Sequence, residues 1–267
     1  MGERYNLSYS YFAKYYDTLM ENAEYEKRAE YFLKLFRKHG HNTGLTLDLA
    51  CGTGTLTFKL YEKGVDIFGC DMSEDMLSIA QQKAYESEKN IMFICQKMQN
   101  LNLPGKIDTC ICTLDSINHL TSAKEVQKTF DRVSKYLNDN GIFVFDVNTI
   151  YKHKYILGEK CYILDNCSGS SENEKVTDIF CTWQNDYYEK DHEVVITLNF
   201  FERIGKLYKR STEQFSERAY SDSDIRKMAE NAGFCVEAVY DDMSFKNLKE
   251  DSQRAVYVLM KRGNKYE

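Results

Sequence analysis

The sequence lacks the features that would place the protein in a membrane or on nucleic acid. No apolar run approaches the roughly 18 residues that a membrane-spanning helix needs. The amino-terminal stretch, MGERYNLSYSYFAKYYD, has no apolar core of the kind found in signal peptides. The net charge of −6 gives no excess of Lys and Arg for binding a phosphate backbone. We therefore expect a cytoplasmic protein with neither a membrane nor a nucleic-acid partner.

Cysteine motifs are also missing, although cysteine itself is not. The nine cysteines are scattered, and no two are spaced as C-x-x-C. Neither a zinc ribbon nor a thioredoxin-type motif is therefore supported, and we predict no metal site. Cys70, Cys95, Cys110 and Cys112 fall in apolar, strand-like runs, so we expect buried, reduced thiols that act as small hydrophobic residues.

What the sequence does have is a regular alternation of strand-like and helical patterns. Helical spacing of apolar residues from Tyr25 to Phe36, a cap at Ser73 and a capping box at Ser122 and Glu125 predict helices, the last ending at Asn140-Gly141. A further helix is predicted between Ser221 and Gly233. Continuous apolar runs predict strands at 45–50, 65–70, 91–95, 109–114, 142–147, 234–240 and 255–260. This alternation is typical of βαβ units and a parallel sheet.

Residues 151–220 have a different pattern. Val194, Ile196, Leu198 and Phe200 alternate with polar neighbours, and Ile204-Gly205 is a plausible hairpin turn. We predict an antiparallel insertion after the fifth strand. Because ligands of open α/β sheets bind at the carboxyl ends of the strands, this insertion is well placed to cover the site. An inert packing or oligomerisation element is the alternative.

The segment TLDLACGTGTLT, residues 46–57, places two glycines just after an apolar run. A P-loop would need G-x-x-x-x-G-K-[ST], which is absent. A dinucleotide fingerprint would need a third glycine where this chain has Thr57. Asp71 lies 19 residues after Gly52, at the end of the next predicted strand, where a carboxylate can accept both hydroxyls of a ribose. The loop therefore suits an adenosine-containing ligand with no pyrophosphate.

The segment LDLACGTG, residues 47–54, resembles the first motif of class I S-adenosylmethionine-dependent methyltransferases. Other segments are similar to a bacterial small-molecule branch of that family, and they span nearly the whole chain. These segments are FAKYYD (12–17), GCDMS (69–73), LDSINHL (114–120), FDVNT (145–149) and ERAY (217–220).

The resemblance implies an α/β fold with a Rossmann-like, doubly wound, seven-stranded sheet, mostly parallel with an antiparallel last strand, plus the antiparallel β insertion. Residues 1–150 and 221–267 would form the S-adenosylmethionine-binding domain. Residues 151–220 would form an inserted substrate lid.

The resemblance also implies that the protein uses S-adenosyl-L-methionine and releases S-adenosyl-L-homocysteine. Asp71 would hold the ribose, although it could instead cap the helix at Ser73. Asp48 would orient the amino-acid end, and Tyr9 and Tyr16 would close over the methionyl group; ordinary structural roles are the alternative for all three. The other predicted cofactor-binding residues are Ala50, Cys51, Gly52, Gly54, Met72, Met76, Lys97, Met98, Leu114, Asp115 and His119.

The scarcity of proline narrows the range of possible methyl acceptors. Pro104 is the only proline, so the [DNS]-P-P-[YFW] motif of adenine amino-methylation is impossible, and the Pro-Cys of cytosine methylation is absent. We expect a small-molecule acceptor, methylated on N or O by a monomer or homodimer. His119 is the best general-base candidate, because the unperturbed pKa of histidine lies near neutral pH; a histidine that packs against the cofactor without proton transfer is the alternative. Asp115 is the second predicted catalytic residue, and it could bind a substrate amine or only the backbone. The predicted substrate-binding residues are Asn118, Asn148, Trp183, Arg218 and Tyr220. For Arg218, which could clamp a substrate carboxylate, a surface ion pair is the alternative.

Two other classes of function stay open. The chain could be a non-catalytic protein that senses S-adenosylmethionine. It could also be a nucleotide-dependent Rossmann oxidoreductase, although Thr57 in place of glycine counts against that.

One departure from the family pattern is testable. The family usually places an acid against the adenine amino group after the third strand, where this chain has Cys95-Gln96-Lys97-Met98. The Lys97 ammonium cannot accept a hydrogen bond from that amino group. We therefore predict that Lys97→Asp does not weaken cofactor binding. A large loss of affinity in titration calorimetry would show that Lys97 contributes positively.

Overall fold

The described part of the chain forms two β-sheets. This computed structural model describes residues 10–20, 23–165 and 179–263. The larger sheet has seven strands: β1 Leu45–Leu49, β2 Asp66–Asp71, β3 Phe93–Cys95, β4 Ile107–Cys112, β5 Leu137–Asn148, β10 Phe234–Asp241 and β11 Arg254–Lys261. Across the sheet their order is β10-β11-β5-β4-β1-β2-β3.

The strand directions confirm the sheet predicted from the sequence. β1 runs parallel to β2 and β4, β2 to β3, and β4 to β5. β11 is antiparallel to both of its neighbours, β5 and β10. The sheet is therefore doubly wound and mostly parallel, with an antiparallel last strand.

Helices cover both faces of this sheet. Phe145 of β5 belongs to a core that includes Val126 and Ile225, whereas its neighbour Val144 belongs to a second core with Phe32 and Leu56. Both faces of the strand are thus buried, which explains its continuous apolar sequence. The helices are α1 Ser10–Leu19, α2 Tyr25–Lys38, α3 Thr55–Glu62, α4 Glu74–Glu86, α5 Ala123–Tyr136 and α6 Asp222–Asn231. Within the described ranges, none of them has the length and apolar character needed to cross a bilayer.

The smaller sheet is the predicted antiparallel insertion. Its four strands are paired in sequence order: β6 Cys161–Asp165, β7 Ile179–Tyr188, β8 Glu193–Ile204 and β9 Leu207–Arg218. Val194, Ile196, Leu198 and Phe200 of β8 are buried in a core with Phe12 of α1 and Met76 of α4. The insertion is thereby packed against α1 and α4, beside the loop that follows β1.

Two local predictions differ from the structure. α5 ends at Tyr136 rather than at Asn140-Gly141, because Leu137 is buried and pairs with Ile107 as the first residue of β5. Gly141 lies within β5, where a Cβ atom would come 2.8 Å from the carbonyl oxygen of Asn138. Ser122 does precede α5, but its side chain makes no capping hydrogen bond.

The cysteine expectation holds for three of four residues. Cys70, Cys110 and Cys112 are buried free thiols, whereas Cys95 is exposed. Cys95 ends β3, a three-residue strand that pairs with β2 at the edge of the sheet. An edge strand leaves one side open, and this accounts for the exposure of Cys95.

The buried face of β8 can be tested by paired substitutions. Leu198 is fully buried, so Leu198→Ala is expected to lower the free energy of unfolding by about 2–5 kcal/mol. Thr197 lies half-buried on the other face of the same strand, where its hydroxyl accepts a hydrogen bond from Gln214 at 2.9 Å. Thr197→Ala serves as the control, with a smaller expected loss of about 0.5–1.5 kcal/mol. Urea unfolding measures both. Equal losses would contradict the packing of the insertion.

Candidate active site

The loop between β1 and α3 follows an unusual backbone path. Ala50, Gly52 and Gly54 all have positive φ values, of 61°, 55° and 75°. Among the described residues, a Cβ atom on Gly52 would meet no other atom within 4 Å, whereas one on Gly54 would lie 3.0 Å from the ring of Phe93. Gly52 therefore faces open space, and Gly54 allows the loop to pack closely on β3.

The Asp71 carboxylate connects this loop to the start of α4. The amide of Gly52 donates to Oδ2 at 2.8 Å, and the amide of Ser73 donates to Oδ1 at 2.8 Å. Burial raises the pKa of Asp71, while these amide hydrogen bonds oppose the rise. Each carboxylate oxygen can accept more than one hydrogen bond. The carboxylate is therefore held in one orientation with acceptor capacity left for a ligand.

Asp48 is buried in β1 behind the loop. The hydroxyl of Thr57 donates to Asp48 Oδ2 at 2.6 Å. The pKa of Asp48 is raised to about 7. Burial is the largest cause, the Thr57 hydrogen bond opposes the rise, and the charge of Asp71 adds to it. The residue that replaces the third glycine of a dinucleotide fingerprint is thus the hydrogen-bond partner of Asp48.

Asp17 fastens α1 to the glycine loop. Its Oδ1 accepts hydrogen bonds from the hydroxyls of Thr53 at 2.6 Å and Thr55 at 3.0 Å. Its Oδ2 lies 2.5 Å from Nζ of Lys83 on α4. These contacts hold Tyr16, which directly precedes Asp17, beside the loop.

Most of the predicted cofactor residues meet in two adjoining cavities. Tyr16, Ala50 and Leu114 line both of them. Asp48 and Cys51 line the smaller cavity. The other predicted residues that line the larger one are Gly52, Asp71, Met72, Met76, Met98 and His119. The structure thus brings together eleven residues predicted from distant parts of the sequence; their roles in binding stay predictions.

Sequence reasoning did not assign several residues that line the same cavities. Ser116 lines both, Phe12 and Ser73 line the larger cavity, and Tyr25 and Thr113 line the smaller one. Phe12, Ser73 and Ser116 all lie within the segments that resemble the family, so the sequence could have indicated that they line the cavity. For Tyr25 the sequence indicated only that it belongs to the apolar face of a helix.

Other predicted site residues lie outside these two cavities. Gly54 packs on Phe93, and Lys97 is exposed at the end of β3. Trp183 lies on β7, where its Nε1 donates to Asn185 at 2.7 Å. Tyr9 lies outside the described residues.

The side chains of Asn118 and Asn148 make hydrogen bonds to other groups of the protein. Asn118 is fully buried; its Nδ2 donates to the carbonyl oxygens of Asn148 and Arg218, and its Oδ1 accepts from the Asn148 amide. Asn148 Nδ2 in turn donates to Asp115 at 3.0 Å. These bonds join the 114–120 segment to β5 and β9. Both side chains therefore support the site from behind.

Arg218 and Tyr220 are also occupied by contacts within the fold. Arg218 Nη1 donates to the carbonyl oxygen of Thr121 at 3.2 Å, and its guanidinium lies 5.2 Å from the centre of the Tyr220 ring. The Tyr220 hydroxyl donates to the carbonyl oxygen of Leu120. Neither side chain lines the two cavities.

Asp115 belongs to a buried charge cluster that shapes the cavity wall. Leu114 and Asp115 both have φ of 55°, and their amides donate to Asp146 at 3.0 and 2.8 Å. Arg254 bonds both carboxylates, at 2.7 Å for Asp115. Burial opposes ionisation of Asp115, but the charges of Arg254 and Lys152 hold its pKa below the ordinary carboxyl value. Asp115 is therefore an ionised partner of Arg254, and Asp146 holds the turn in its positive-φ conformation.

His119 lies between the larger cavity and the last strand of the insertion. Its ring is 5.3 Å from the Phe215 ring, and Nε2 is 3.8 Å from Oε1 of Glu217. About a third of the side chain is exposed. The cavity thus has carboxylates at the glycine-loop end and an imidazole on the wall below the insertion.

The donor set fits S-adenosylmethionine. Asp71 presents oriented acceptors for a ribose diol, and the open face of Gly52 admits a ligand close to the backbone. Asp48 lies behind the same loop and could face an amino group. Among the described residues no Lys or Arg lines the two cavities, which accords with a ligand that carries no phosphate.

Comparisons with known proteins agree with this site. Residues 46–141 match a family described as "Methyltransferase domain". YqeM of Bacillus subtilis (strain 168), which is named as a methyltransferase, is 31% identical over 254 residues, or 95% of this chain and 97% of YqeM. The crystal structure of an S-adenosylmethionine-dependent methyltransferase from Clostridium acetobutylicum ATCC 824 superposes with a TM-score of 0.81 at 31% identity, covering 96% of this chain and 99% of that one.

A more distant structure shows how widely the fold is shared. The sugar N-methyltransferase KedS8 from Streptoalloteichus sp ATCC 53650 has a TM-score of 0.78 at 16% identity, covering 98% of this chain and 96% of KedS8. At that identity the likeness concerns the fold alone. The full-length similarity to YqeM and to the Clostridium enzyme concerns the family, and the chain belongs to the class I S-adenosylmethionine-dependent methyltransferases.

Proposed function

We propose that this methyltransferase transfers the methyl group of S-adenosylmethionine to a nitrogen or oxygen atom of a small molecule. The observation that carries the proposal is the convergence of Asp71, Gly52 and His119 on one cavity beside the insertion. S-adenosylmethionine supplies a methyl group that is already activated on a sulfonium. The protein then has to align the acceptor and, where needed, remove its proton.

The division of labour between the two sheets is part of the proposal. Residues 1–150 and 221–267 bind the cofactor, and residues 151–220 act as the substrate lid. The lid role is supported by the packing of β8 on α1 and α4, both of which contribute cavity residues, Phe12 and Met76. The small-molecule role is supported by the sequence, which lacks the proline-containing motifs of adenine and cytosine methylation.

Within the cavity we assign roles by chemistry. Asp71 accepts the ribose hydroxyls, Asp48 faces the amino-acid end, and Met98 contacts the adenine. His119 removes a proton from the acceptor. Asp115 acts through Arg254 and the turn at 114–115 rather than by touching the acceptor.

The proposal is tested by release of S-adenosylhomocysteine with small amine and hydroxyl acceptors. Binding of S-adenosylhomocysteine is measured alongside by calorimetry. One-to-one binding together with acceptor-dependent turnover is expected. Tight binding with no turnover across both acceptor types would favour a protein that only senses the cofactor.

Removing the ribose carboxylate should weaken cofactor binding. Asp71→Asn keeps one acceptor oxygen but loses the second, which either Gly52 or Ser73 uses, so we expect the Kd for S-adenosylhomocysteine to rise at least about tenfold. Asp75→Asn, on the exposed first turn of α4, is the control and should not change the Kd. Equal Kd values for the wild type and Asp71→Asn would remove Asp71 from the site.

Asp48 should make stability depend on pH. Its pKa of about 7 exceeds the roughly 3.9 of an unfolded aspartate, so the folded state holds this proton more tightly. The contribution of Asp48 to the free energy of unfolding should therefore fall as pH rises from about 4 to about 7 and change no further above that range.

Asp48→Asn abolishes this titration and keeps an acceptor for Thr57. Its melting temperature without ligand should rise relative to the wild type between pH 4.5 and pH 7.5, while its affinity for S-adenosylhomocysteine falls. Asp66→Asn, at an exposed position on β2, is the control. A pH-independent difference in melting temperature would refute the raised pKa.

A further inference from the structure

Glu217 is a buried carboxylate between two imidazoles. It lies near the end of β9, is 4% exposed, and belongs to the insertion rather than to the seven-stranded sheet. Oε2 is 3.5 Å from His153 Nε2 and accepts a hydrogen bond from Asn148 Nδ2 at 3.3 Å. Oε1 faces His119 Nε2 at 3.8 Å. Among the described residues no donor lies within hydrogen-bond distance of Oε1.

The nearby cations are bound to other groups. Arg254 bonds Asp115 and Asp146, and the Lys152 ammonium donates to Asn148 Oδ1 at 2.9 Å. The Lys152 charge acts on Glu217 at longer range. Among the described residues no cation bonds Oε1, so that oxygen is available to stabilise a positive charge on the ring that it faces, His119.

Only one of those imidazoles reaches the cavity. His153 is fully buried, with Nδ1 3.2 Å from the carbonyl oxygen of His192 and Nε2 directed toward Glu217. His119 lines the cavity opposite the glycine loop. A proton arriving from a ligand would therefore be taken by His119, with Glu217 behind it and His153 behind Glu217.

We propose that Glu217 is a positioning residue that orients His119 and stabilises its imidazolium, and that the pair makes this a site for acceptors bound as protonated amines. The proposal rests on the proposed function and specifies its substrate class. The separation of 3.8 Å is longer than a hydrogen bond, and it is expected to shorten once His119 carries a proton.

The proton balance of the reaction is simple. The ammonium group of the acceptor gives one proton to Nε2 of His119, because Nδ1 is buried inside the protein. The positive charge then moves to the imidazole beside Glu217 Oε1. The neutral amine then uses its lone pair to form the N–C bond to the methyl carbon, while the C–S bond breaks and its electrons stay on sulfur. The imidazolium returns its proton to water after the product leaves.

The same pair is poorly matched to an alcohol. An aliphatic ammonium such as that of lysine has a pKa of about 10.4, whereas the pKa of water and of simple alcohols is far higher. An imidazole can accept a proton from an ammonium group far more readily than from an alcohol. The proton-accepting pair thus favours N-methylation.

The experiment compares Glu217→Gln with the wild type on two kinds of amine. Simple alkylamines and an amino sugar are protonated at pH 7.5, whereas aniline-type amines are neutral there and need no base. For the protonated amines we expect kcat to fall about 10²-fold in Glu217→Gln, the lower end of general-base effects. For the neutral amines we expect a change of less than about threefold, since no proton has to be removed before attack.

The matched control is Glu189→Gln, which removes an exposed carboxylate paired with Lys154 on the same insertion. It should leave kcat and KM unchanged for both kinds of amine. The Kd for S-adenosylhomocysteine should be the same in all three proteins, which also reports that Glu217→Gln is folded. If Glu217→Gln fails to bind it, the comparison is made with His119→Asn, for which the same contrast between amines is expected.

A uniform loss of kcat for both kinds of amine would mean that Glu217 is only structural and would overturn the proposal. Transfer to the hydroxyl analogues and to none of the amines would overturn the substrate class. Failure of the wild type to bind S-adenosylhomocysteine would instead contradict the proposed function, so the two failures are distinguishable.

Discussion

The cavity depends on the pair of hydrogen bonds that the Asp71 carboxylate accepts from the Gly52 and Ser73 amides. These bonds tie the loop after β1 to the start of α4, and so fix the two walls between which a nucleoside can lie. The positive φ angles of Ala50 and Gly52 are tolerable because neighbouring groups hold that path in place. A carboxylate that is already oriented loses little freedom when it accepts a ligand hydroxyl, which favours binding.

The other walls come from parts of the chain that are far apart in sequence. Asp17 fixes α1 to the loop, and the buried face of β8 in the insertion packs against α1. Asp146 and Arg254 hold the turn at 114–115 from the opposite side. In the proposed arrangement the larger sheet builds the donor end of the site. β9 brings Glu217 to His119 at the end that we propose for the acceptor.

The sequence predicted the sheet and the cavity better than it predicted individual side-chain partners. Apolar runs located the strands because both faces of β5 are buried, and the recognised motifs contained most of the residues that line the cavity. The interior roles of Asn118 and Arg218 were not predictable, since their partners lie about 30 to 100 residues away along the chain. Gly141 looked like a helix end, but the constraint is a close carbonyl in β5.

The most direct test of this account is a crystal structure of the protein with S-adenosylhomocysteine. We expect both ribose hydroxyls to donate to the Asp71 carboxylate, the chain to pass the open face of Gly52, and the sulfur to face His119 beneath the insertion. An adenosine bound away from Asp71, or a sulfur sealed off from His119 by the fold, would contradict it.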